Sequence, residues 1–478
     1  MAHWDSDHGA CSKCNLDQPL HSQAMASWTP PNWTSIQAQV NAAVDSGMQD
    51  LFSALRIPSV SDDPAALTQS ASHLARMLAQ DGWSVEIANM DGNLILLAEI
   101  GSGQESLIVY GHHDVQPVEP LDAWSSPPFE PVIRGGRIFG RGSADNKGQF
   151  FCHIFAVRAL MAVLGHVPMR VKLVLDGQEE NGSPHLAEFV DRYQTRLSGS
   201  RLCFTADGPT RQDERPEVVF GVRGDVKLRL TVRTANTDLH SGNWGNIVPS
   251  AGMRLAQLLA QLKGPDGRVS VPGFYDRIVP PTDRERQAMA DLPFDVDEAG
   301  RSVGAIRLDG PLDVPALERL MFMPALTVNG LEGGHHEKSV IPCQATAHID
   351  VRLVADQDPD WMVELLTAHL KSIAPDATLE RGRGYMPSRT AMETPVAARV
   401  IDAVRVGFGQ EPALVPSSGG TLPDGVFAVG LGIPVLDVPY AGRDQRNHAP
   451  NENIRLDHLR AGARTSAALF LGLAEGNP

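Results

Sequence analysis

Residues 106–114 read SLIVYGHHD, a short apolar run that ends in two histidines and an aspartate. Its continuous apolar character predicts a buried β-strand. Successive strand side chains point to opposite faces, so His112 and Asp114 are expected on the same side. A histidine with a carboxylate two residues later suits a metal site, because the carboxylate can orient the imidazole. Taken alone, the pair is a weak signal, and a structural histidine is the favoured interpretation. His113, on the other face, is predicted to be a structural histidine.

Similar runs continue on both sides of this strand. Apolar stretches at 93–100 and 171–176 alternate with helical patterns at 35–55, 148–164 and 184–193. Strands that alternate with helices predict an α/β fold with parallel strands.

The pattern changes near Pro216. Apolar and polar residues alternate strictly at 226–233 and 345–353, which predicts half-buried antiparallel strands. Helical patterns at 251–262 and 360–373 accompany them, so we expect an α+β domain inserted into the α/β domain. The expected division is an N-terminal tail at 1–34 that is poorly ordered at its start, the catalytic domain at 35–216 and 386–478, and the insert at 217–385.

The composition of the chain argues against a nucleic-acid-binding protein and against a membrane protein. The chain has 478 residues, a net charge of −16 and 42% hydrophobic residues, which is typical of a globular protein. An acidic chain lacks the basic face that a general nucleic-acid binder needs. The most apolar stretch, 426–438, is broken by Gly430, Gly432 and Pro434, so we expect no membrane span.

The five cysteines are an odd and sparse set, and the first 24 residues lack a secretory pattern. We therefore expect a cytoplasmic protein without a disulfide framework. Cys11 and Cys14 form one C-x-x-C that could bind a metal. A disordered tail, or an extension upstream of a start at Met25, is the favoured interpretation of this segment.

A glycine-rich junction, GRGSADNKG at residues 140–148, precedes a predicted helix. It lacks the residue order of a phosphate loop and places the carboxylate of Asp145 at the helix start. A bridging metal ligand is the better interpretation of Asp145.

Acidic residues also follow the predicted strand at 171–176, in the segment GQEENGS at 177–183. Adjacent carboxylates are often only a solvated turn, but α/β sheets bind ligands beyond the carboxyl ends of their strands. Because neighbouring side chains diverge, Glu180 could bind metal while Glu179 faces a water as general base.

Two further segments contain candidate metal ligands. Asp207 follows another short apolar run, and His448 lies in NHAPNE, ahead of the last predicted helix. Two histidines and several carboxylates at strand ends are typical of a hydrolytic site with two zinc ions.

The order of these motifs resembles the zinc-dependent exopeptidases of the peptidase M20 family. The motifs are GHxDVQP, GRGSADNKG, GQEENGS, ADG, DLHSG and NHAPNE, and the resemblance extends from about residue 40 to the end. It implies a mixed sheet flanked by helices, with an inserted domain that covers the cleft and forms a homodimer.

The resemblance also implies roles for individual residues. His112, Asp145 and Asp207 would hold one ion, and Glu180, His448 and the shared Asp145 the other. Two divalent ions per subunit are expected, Zn²⁺ first, with Mn²⁺ and Co²⁺ as alternatives.

Three further features come with these ligands. Glu179 would be the general base and Asp114 the partner of His112. His240, in DLHSG, would reach into the neighbouring subunit's site and stabilise the oxyanion. A cis peptide is expected at Asp145-Asn146.

The substrate is less defined. Asp207 and the segments DLHSG, VPGFYD and KSVIP resemble the carnosinase-like dipeptidase subgroup. The residues expected to hold substrate, with solvated strand or turn positions as the alternative, are Arg352, Asn329, Gly419, Gly420 and Thr421. His335 and His336 are predicted to be solvated.

Unusual polar residues at Gln178, Asn181 and His185, and Thr421 with Leu422, leave the substrate open. We therefore consider three hypotheses: a dipeptidase, an amidohydrolase acting on an N-acyl amino acid or other small amide, and a catalytically silent homologue. Glu179 argues against the third, because a silent scaffold needs no base beside its metal ligands.

Overall fold

The computed structural model describes residues 28–210, 215–334 and 337–475. In chain order its strands are β1 Ser84–Met90, β2 Asn93–Ile100, β3 Ser106–His112, β4 Val132–Arg134, β5 Arg137–Phe139, β6 Arg170–Asp176, β7 Cys203–Thr205, β8 Glu217–Val219, β9 Gly221–Val222, β10 Gly224–Arg233, β11 Leu239–His240, β12 Ala325–Glu332, β13 Val340–Ile341, β14 Gln344–Leu353, β15 Ala377–Tyr385, β16 Ser388–Arg389, β17 Ala413–Val415, β18 Val435–Asp437 and β19 Asn453–Arg455. Its α-helices are α1 Trp33–Leu55, α2 Pro64–Gln80, α3 Lys147–Leu164, α4 Leu186–Arg192, α5 Gln194–Leu197, α6 Ser241–Trp244, α7 Ala251–Leu262, α8 Asp283–Ala290, α9 Val296–Ser302, α10 Ala316–Phe322, α11 Pro359–Ile373, α12 Pro395–Phe408, α13 Asp424–Leu431 and α14 Leu456–Ala474.

The larger sheet has eight strands in the order β1-β2-β6-β3-β7-β18-β8-β17. β3 runs parallel to both of its neighbours, β6 and β7, whereas β1, β2 and β6 pair antiparallel. The sheet is therefore mixed, as the resemblance predicted. Because β3, β6 and β7 are parallel, the residues that follow them meet at one edge of the sheet.

Helices cover both faces of this sheet, and the pleat of β3 shows how. Leu107 and Val109 belong to the apolar cluster beneath α1, α3, α12 and α14. Ile108 and Tyr110 point to the opposite face, into the cluster with α4 and α13. All seven residues of β3 are buried, so the run of apolar residues reflects burial on two sides.

The smaller sheet has four antiparallel strands in the order β12-β14-β10-β15. On β10, Val226, Leu228, Leu230 and Val232 are buried against α7 and α11, and the residues between them are polar. This confirms the antiparallel strands and the two helices that the alternating pattern predicted. The short strand β8 belongs to the larger sheet, and the smaller sheet begins at Gly224. The domain bounds at 217 and 385 stay predictions.

Helix α3 lies at the centre of the larger domain. Among the described residues, its 18 residues are the one helical stretch long and apolar enough to span a membrane by length and composition. That stretch is 72% buried inside the protein, packed between α1 and α14. These are the properties of a core helix.

Candidate active site

The ends of three parallel strands and two loops converge at one edge of the larger sheet. His112 is the last residue of β3, and Asp207 lies two residues beyond β7. Glu179 and Glu180 begin a single 3-10 turn that follows β6. Asp145 precedes α3, and His448 lies in the loop between β18 and β19.

One imidazole contacts two of these carboxylates. Nε2 of His112 lies 3.0 Å from Oδ1 of Asp145 and 3.5 Å from Oδ2 of Asp207. Burial lowers the pKa of His112, but the surrounding carboxylates outweigh burial and raise its pKa well above 6.5. This geometry places the three side chains around one point.

The second imidazole approaches from the other side of Asp145. Nε2 of His448 lies 3.0 Å from Oδ2 of Asp145 and 3.2 Å from Oε2 of Glu180. Hydrogen bonds to these two carboxylates raise the pKa of His448 to about 10. Asp145 thus turns one oxygen to each histidine, as a bridging carboxylate does, and the peptide that follows it is cis, as expected.

Asp114 stands behind this group and is fully buried. Its Oδ1 lies 3.2 Å from Nδ1 of His112. Its carboxylate also accepts hydrogen bonds from the Ser61 hydroxyl at 2.7 Å and from the amides of Glu179 at 3.2 Å and Glu180 at 3.0 Å. One carboxylate therefore orients the imidazole and holds the turn that carries both glutamates.

Glu179 lies at the edge of the cluster and makes a different contact. Its Oε2 is 4.0 Å from Nε2 of His112, and its side chain is 16% exposed. Burial, followed by the charges of Asp207 and Glu180, raises the pKa of the Glu179 carboxyl well above 4.5. A carboxyl group with raised proton affinity beside a cluster of ligands is suited to take and return a proton.

The donor set fits divalent cations. Ligand atoms of His112, Asp145 and Glu180 all lie within 4.8 Å of one another, and Oε1 of Glu180 is buried without a hydrogen-bond partner among the described residues. The three carboxylates of this donor set, on Asp145, Glu180 and Asp207, carry negative charge that metal ions would neutralise.

Two of the predicted substrate residues meet at the border of the insert. Nη1 of Arg352, on β14, donates to the Thr421 hydroxyl at 2.8 Å, and Asp350 lies 3.2 Å from its Nε. Gly419 accepts a hydrogen bond from Arg223 at 2.8 Å. Burial, with the charge of Arg352, lowers the pKa of Arg223 to about 10. Two guanidinium groups thus face the loop that contains Gly420.

The structure does not bring Asn329 and His240 to the cluster. Asn329 is exposed on the edge strand β12 and accepts a hydrogen bond from Thr327 at 3.2 Å. His240 is exposed, and its Nδ1 accepts the Gly242 amide at 3.1 Å. Among the described residues, neither has a contact with the metal-ligand candidates.

Several residues at the site were missed by sequence reasoning. Gln116 donates to Glu180 at 2.8 Å, and this glutamine lies in the quoted GHxDVQP motif. From the insert, the side chains of Arg383 and Tyr385 lie over Gly182, within 2.6 Å of where a Cβ would stand. Their position on β15 carries no local signal, because the contact joins residues that are far apart in the sequence.

The remaining predictions concern cysteines and histidines outside the candidate metal site. Cys11, Cys14, His335 and His336 lie outside the described residues. His113 is buried and contacts the Leu94 carbonyl at 2.9 Å, which confirms a structural histidine.

The family model described as Peptidase family M20/M25/M40 matches residues 108–471, more than half of the chain. Among curated proteins, the human Beta-Ala-His dipeptidase is 28% identical over 94% of this chain and 90% of its own length. A Cys-Gly metallodipeptidase of Saccharomyces cerevisiae is 25% identical over 91% of this chain and 97% of its own length.

Among solved structures, an M20 family metallo-carboxypeptidase from Sulfolobus solfataricus aligns with a TM-score of 0.82 and 30% identity, over 90% of this chain and 99% of that one. All three relatives are named as peptidases, two of them as metallopeptidases, and the solved structure shares the fold of this chain. The chain belongs to the M20 family of metallopeptidases.

Proposed function

We propose that this protein is a di-zinc dipeptidase that hydrolyses the amide bond of dipeptides or dipeptide-like substrates. The observation that carries this proposal is the group of two histidines and three ligand carboxylates at one sheet edge, with the half-buried Glu179 beside it. The relatives named as Beta-Ala-His and Cys-Gly dipeptidases support the substrate class.

The proposed ligands are His112, Asp145 and Asp207 for one ion, and Glu180, His448 and the shared Asp145 for the other. Bound by these residues, two divalent ions would lower the pKa of a water towards 7 and would polarise the scissile carbonyl. Zn²⁺ fits the mixed imidazole and carboxylate set, and Mn²⁺ and Co²⁺ are alternatives because carboxylates predominate.

Glu179 carries out the proton transfers in this proposal. Its carboxylate would take a proton from the attacking water and return it to the leaving amine. Asp114 holds the Glu179 amide and the His112 ring in place. The proposed base and the proposed ligand therefore keep a fixed position relative to each other.

Arg352 is proposed to bind the carboxyl end of the substrate, with Thr421 and the backbone of Gly419 and Gly420 beside it. A guanidinium group binds a carboxylate by two parallel hydrogen bonds. The similarity to a carboxypeptidase supports a free carboxyl group on the substrate. Asn329 remains a weaker proposal, because it lies on an exposed edge strand.

We further propose a homodimer formed through the insert. The insert exposes apolar side chains: Leu331 on edge strand β12 is 66% exposed, Met253 on α7 is 64% exposed and Ile247, just after α6, is 69% exposed. His240, exposed and apart from the cluster, would then complete the site of the partner. A cytoplasmic location is proposed from the sparse cysteines, of which Cys152, Cys203 and Cys343 are free.

Hydrolysis of Ala-Ala, β-Ala-His and Gly-Leu, each compared with its N-acetyl form and with chelator, tests the proposal. Cleavage of the free dipeptides alone, abolished by chelator, is the expected result. Cleavage of the acetylated forms would favour the amidohydrolase hypothesis, and turnover that persists in chelator would overturn the metal mechanism.

A further inference from the structure

A second carboxylate, Glu452, lies behind the metal-ligand candidates on the side of His448. Its side chain is completely buried. Oε1 of Glu452 accepts hydrogen bonds from the amides of Ala144 at 2.9 Å and Asp145 at 3.0 Å. Oε2 accepts Nη1 of Arg141 at 2.7 Å. The loop that ends in Asp145 is thus bound to the loop that carries His448.

Arg141 extends this connection to a third segment. It is 2% exposed, and its Nη2 donates to the Pro117 carbonyl at 2.8 Å. Its guanidinium carbon lies 5.4 Å from the ring centroid of Trp124. The residue before Pro117 is Gln116, which donates to Glu180. The ion pair therefore joins the loops that carry Asp145, His448 and the donor to Glu180.

The loop of His448 needs such an anchor. Three of its non-glycine residues have left-handed backbone conformations, with φ of 59° at Arg446, 57° at His448 and 65° at Asn451. Such conformations are unfavourable for residues with a Cβ and persist only where surrounding contacts hold them. Besides the side-chain bonds, the Glu452 carbonyl accepts the amide of Gly140 at 3.0 Å.

Stability alone is a poor reason for this arrangement. The free energy needed to remove two charges from water commonly exceeds the free energy gained from their attraction. Replacing a buried ion pair by apolar residues therefore often leaves stability unchanged or raises it. A buried pair that binds two ligand-carrying loops is instead explained by the geometry it imposes on them.

We propose that Glu452, together with Arg141, is a positioning residue for the metal centre. It holds Asp145 and His448 at the separation at which both can bind one ion. This inference rests on the proposed function, because it presupposes that these two residues are metal ligands.

Zn²⁺ titration of the metal-stripped protein against a chromophoric chelator tests it, with Glu452→Gln as the variant. The glutamine keeps the size of the side chain and removes the charge that pairs with Arg141. We expect at least about a tenfold weaker Zn²⁺ affinity, the scale found for partners of metal ligands. An affinity within about twofold of wild type would overturn the proposal.

A matched control separates this role from a general effect of losing a buried charge. Buried Glu285 forms another ion pair with the half-buried Arg389, with the nearest atoms 2.5 Å apart, between α8 and β16. Glu285→Gln is expected to leave Zn²⁺ affinity unchanged. A loss equal to that of Glu452→Gln would contradict a specific role for Glu452.

The double variant Arg141→Met with Glu452→Gln removes both charges, and the glutamine oxygen can still accept the amides of Ala144 and Asp145. It is expected to unfold cooperatively as a metal-free protein near the wild-type temperature, yet to bind Zn²⁺ at least about tenfold more weakly. If neither variant folds, the pair is a stability element and the inference is wrong. If wild type itself binds no divalent ion, the proposed function fails instead.

Discussion

The Asp114 carboxylate and the His112 imidazole form the buried contact on which the site is built, with Oδ1 and Nδ1 3.2 Å apart. Both side chains are fully buried. Because the same carboxylate also accepts the amides of Glu179 and Glu180, it links a ligand on β3 to the proposed base and a ligand after β6.

Asp114→Asn is expected to weaken metal affinity by roughly ten- to a hundredfold, because an amide orients the imidazole less strongly than a carboxylate does. Ser61→Ala removes one of the donors to Asp114 and should have a smaller effect in the same direction. Metal titration of both variants shows which of them loses more metal affinity. Equal affinity in Asp114→Asn and wild type would show that the contact is not used.

Glu179→Gln is expected to retain its metal ions and lose turnover by at least about a hundredfold, because glutamine cannot take the water's proton. Metal content and kcat are measured on the same sample. Glu188→Gln, which changes an exposed carboxylate on α4, should have wild-type kcat. Normal turnover in Glu179→Gln would rule out this glutamate as the base.

His240→Ala should be inactive alone and should complement Glu179→Gln when the two are mixed. If His240 acts on the partner's site, each hybrid dimer has one intact site, and random exchange gives about a quarter of wild-type activity. Activity after mixing and subunit exchange provides the measurement. No recovery, with exchange verified by mass, would rule out the action of His240 on the partner's site.

Arg352→Met is expected to raise the KM for a free dipeptide by about tenfold or more, while the KM for its C-terminal amide changes little. The reason is the loss of a charge-assisted contact with the carboxylate. Arg229→Met, on the neighbouring strand β10 and half exposed beside Glu380, is the matched control. An equal change for both substrates would indicate a structural role for Arg352.

His153→Gln tests a titration inside the core. Burial lowers the pKa of His153 from 6.5 to about 3, and its Nδ1 lies 2.9 Å from the Ser466 hydroxyl. The fold favours the neutral ring, so its contribution to stability is complete above pH 6.5 and is lost as pH falls towards 3.

In that interval, His153 should lower the free energy of unfolding by about 1.4 kcal/mol per pH unit. Urea denaturation in chelator, from pH 7 to pH 5, should show a shallower decline for His153→Gln than for wild type. His166→Gln changes an exposed histidine that follows α3 and controls for the loss of one imidazole. Identical pH slopes in wild type and His153→Gln would refute the prediction.

Sequence reasoning worked best where local pattern and function coincide. The two-sided burial of β3 produces an unbroken apolar run, and its end places His112 and Asp114 on one side of the strand. The same reasoning applies to Glu179 and Asp207, because parallel strands end at one sheet edge.

Sequence reasoning could not predict contacts between residues that are far apart along the chain. Glu452 accepts the amide of Ala144 across 308 positions, and Arg352 meets Thr421 across 69. Tyr385 lies over Gly182 only because β15 of the insert passes there. Such pairings depend on how distant elements pack together in the folded chain, and no periodicity along the sequence records them.

Hydrolysis of Ala-Ala and N-acetyl-Ala-Ala by metal-stripped protein, followed as Zn²⁺ is added, tests the central claim most directly. The account predicts no activity without metal, cleavage of the free dipeptide alone, and a rise that levels off near about two ions per subunit. Activity that needs no metal, or equal cleavage of the acetylated peptide, would contradict it.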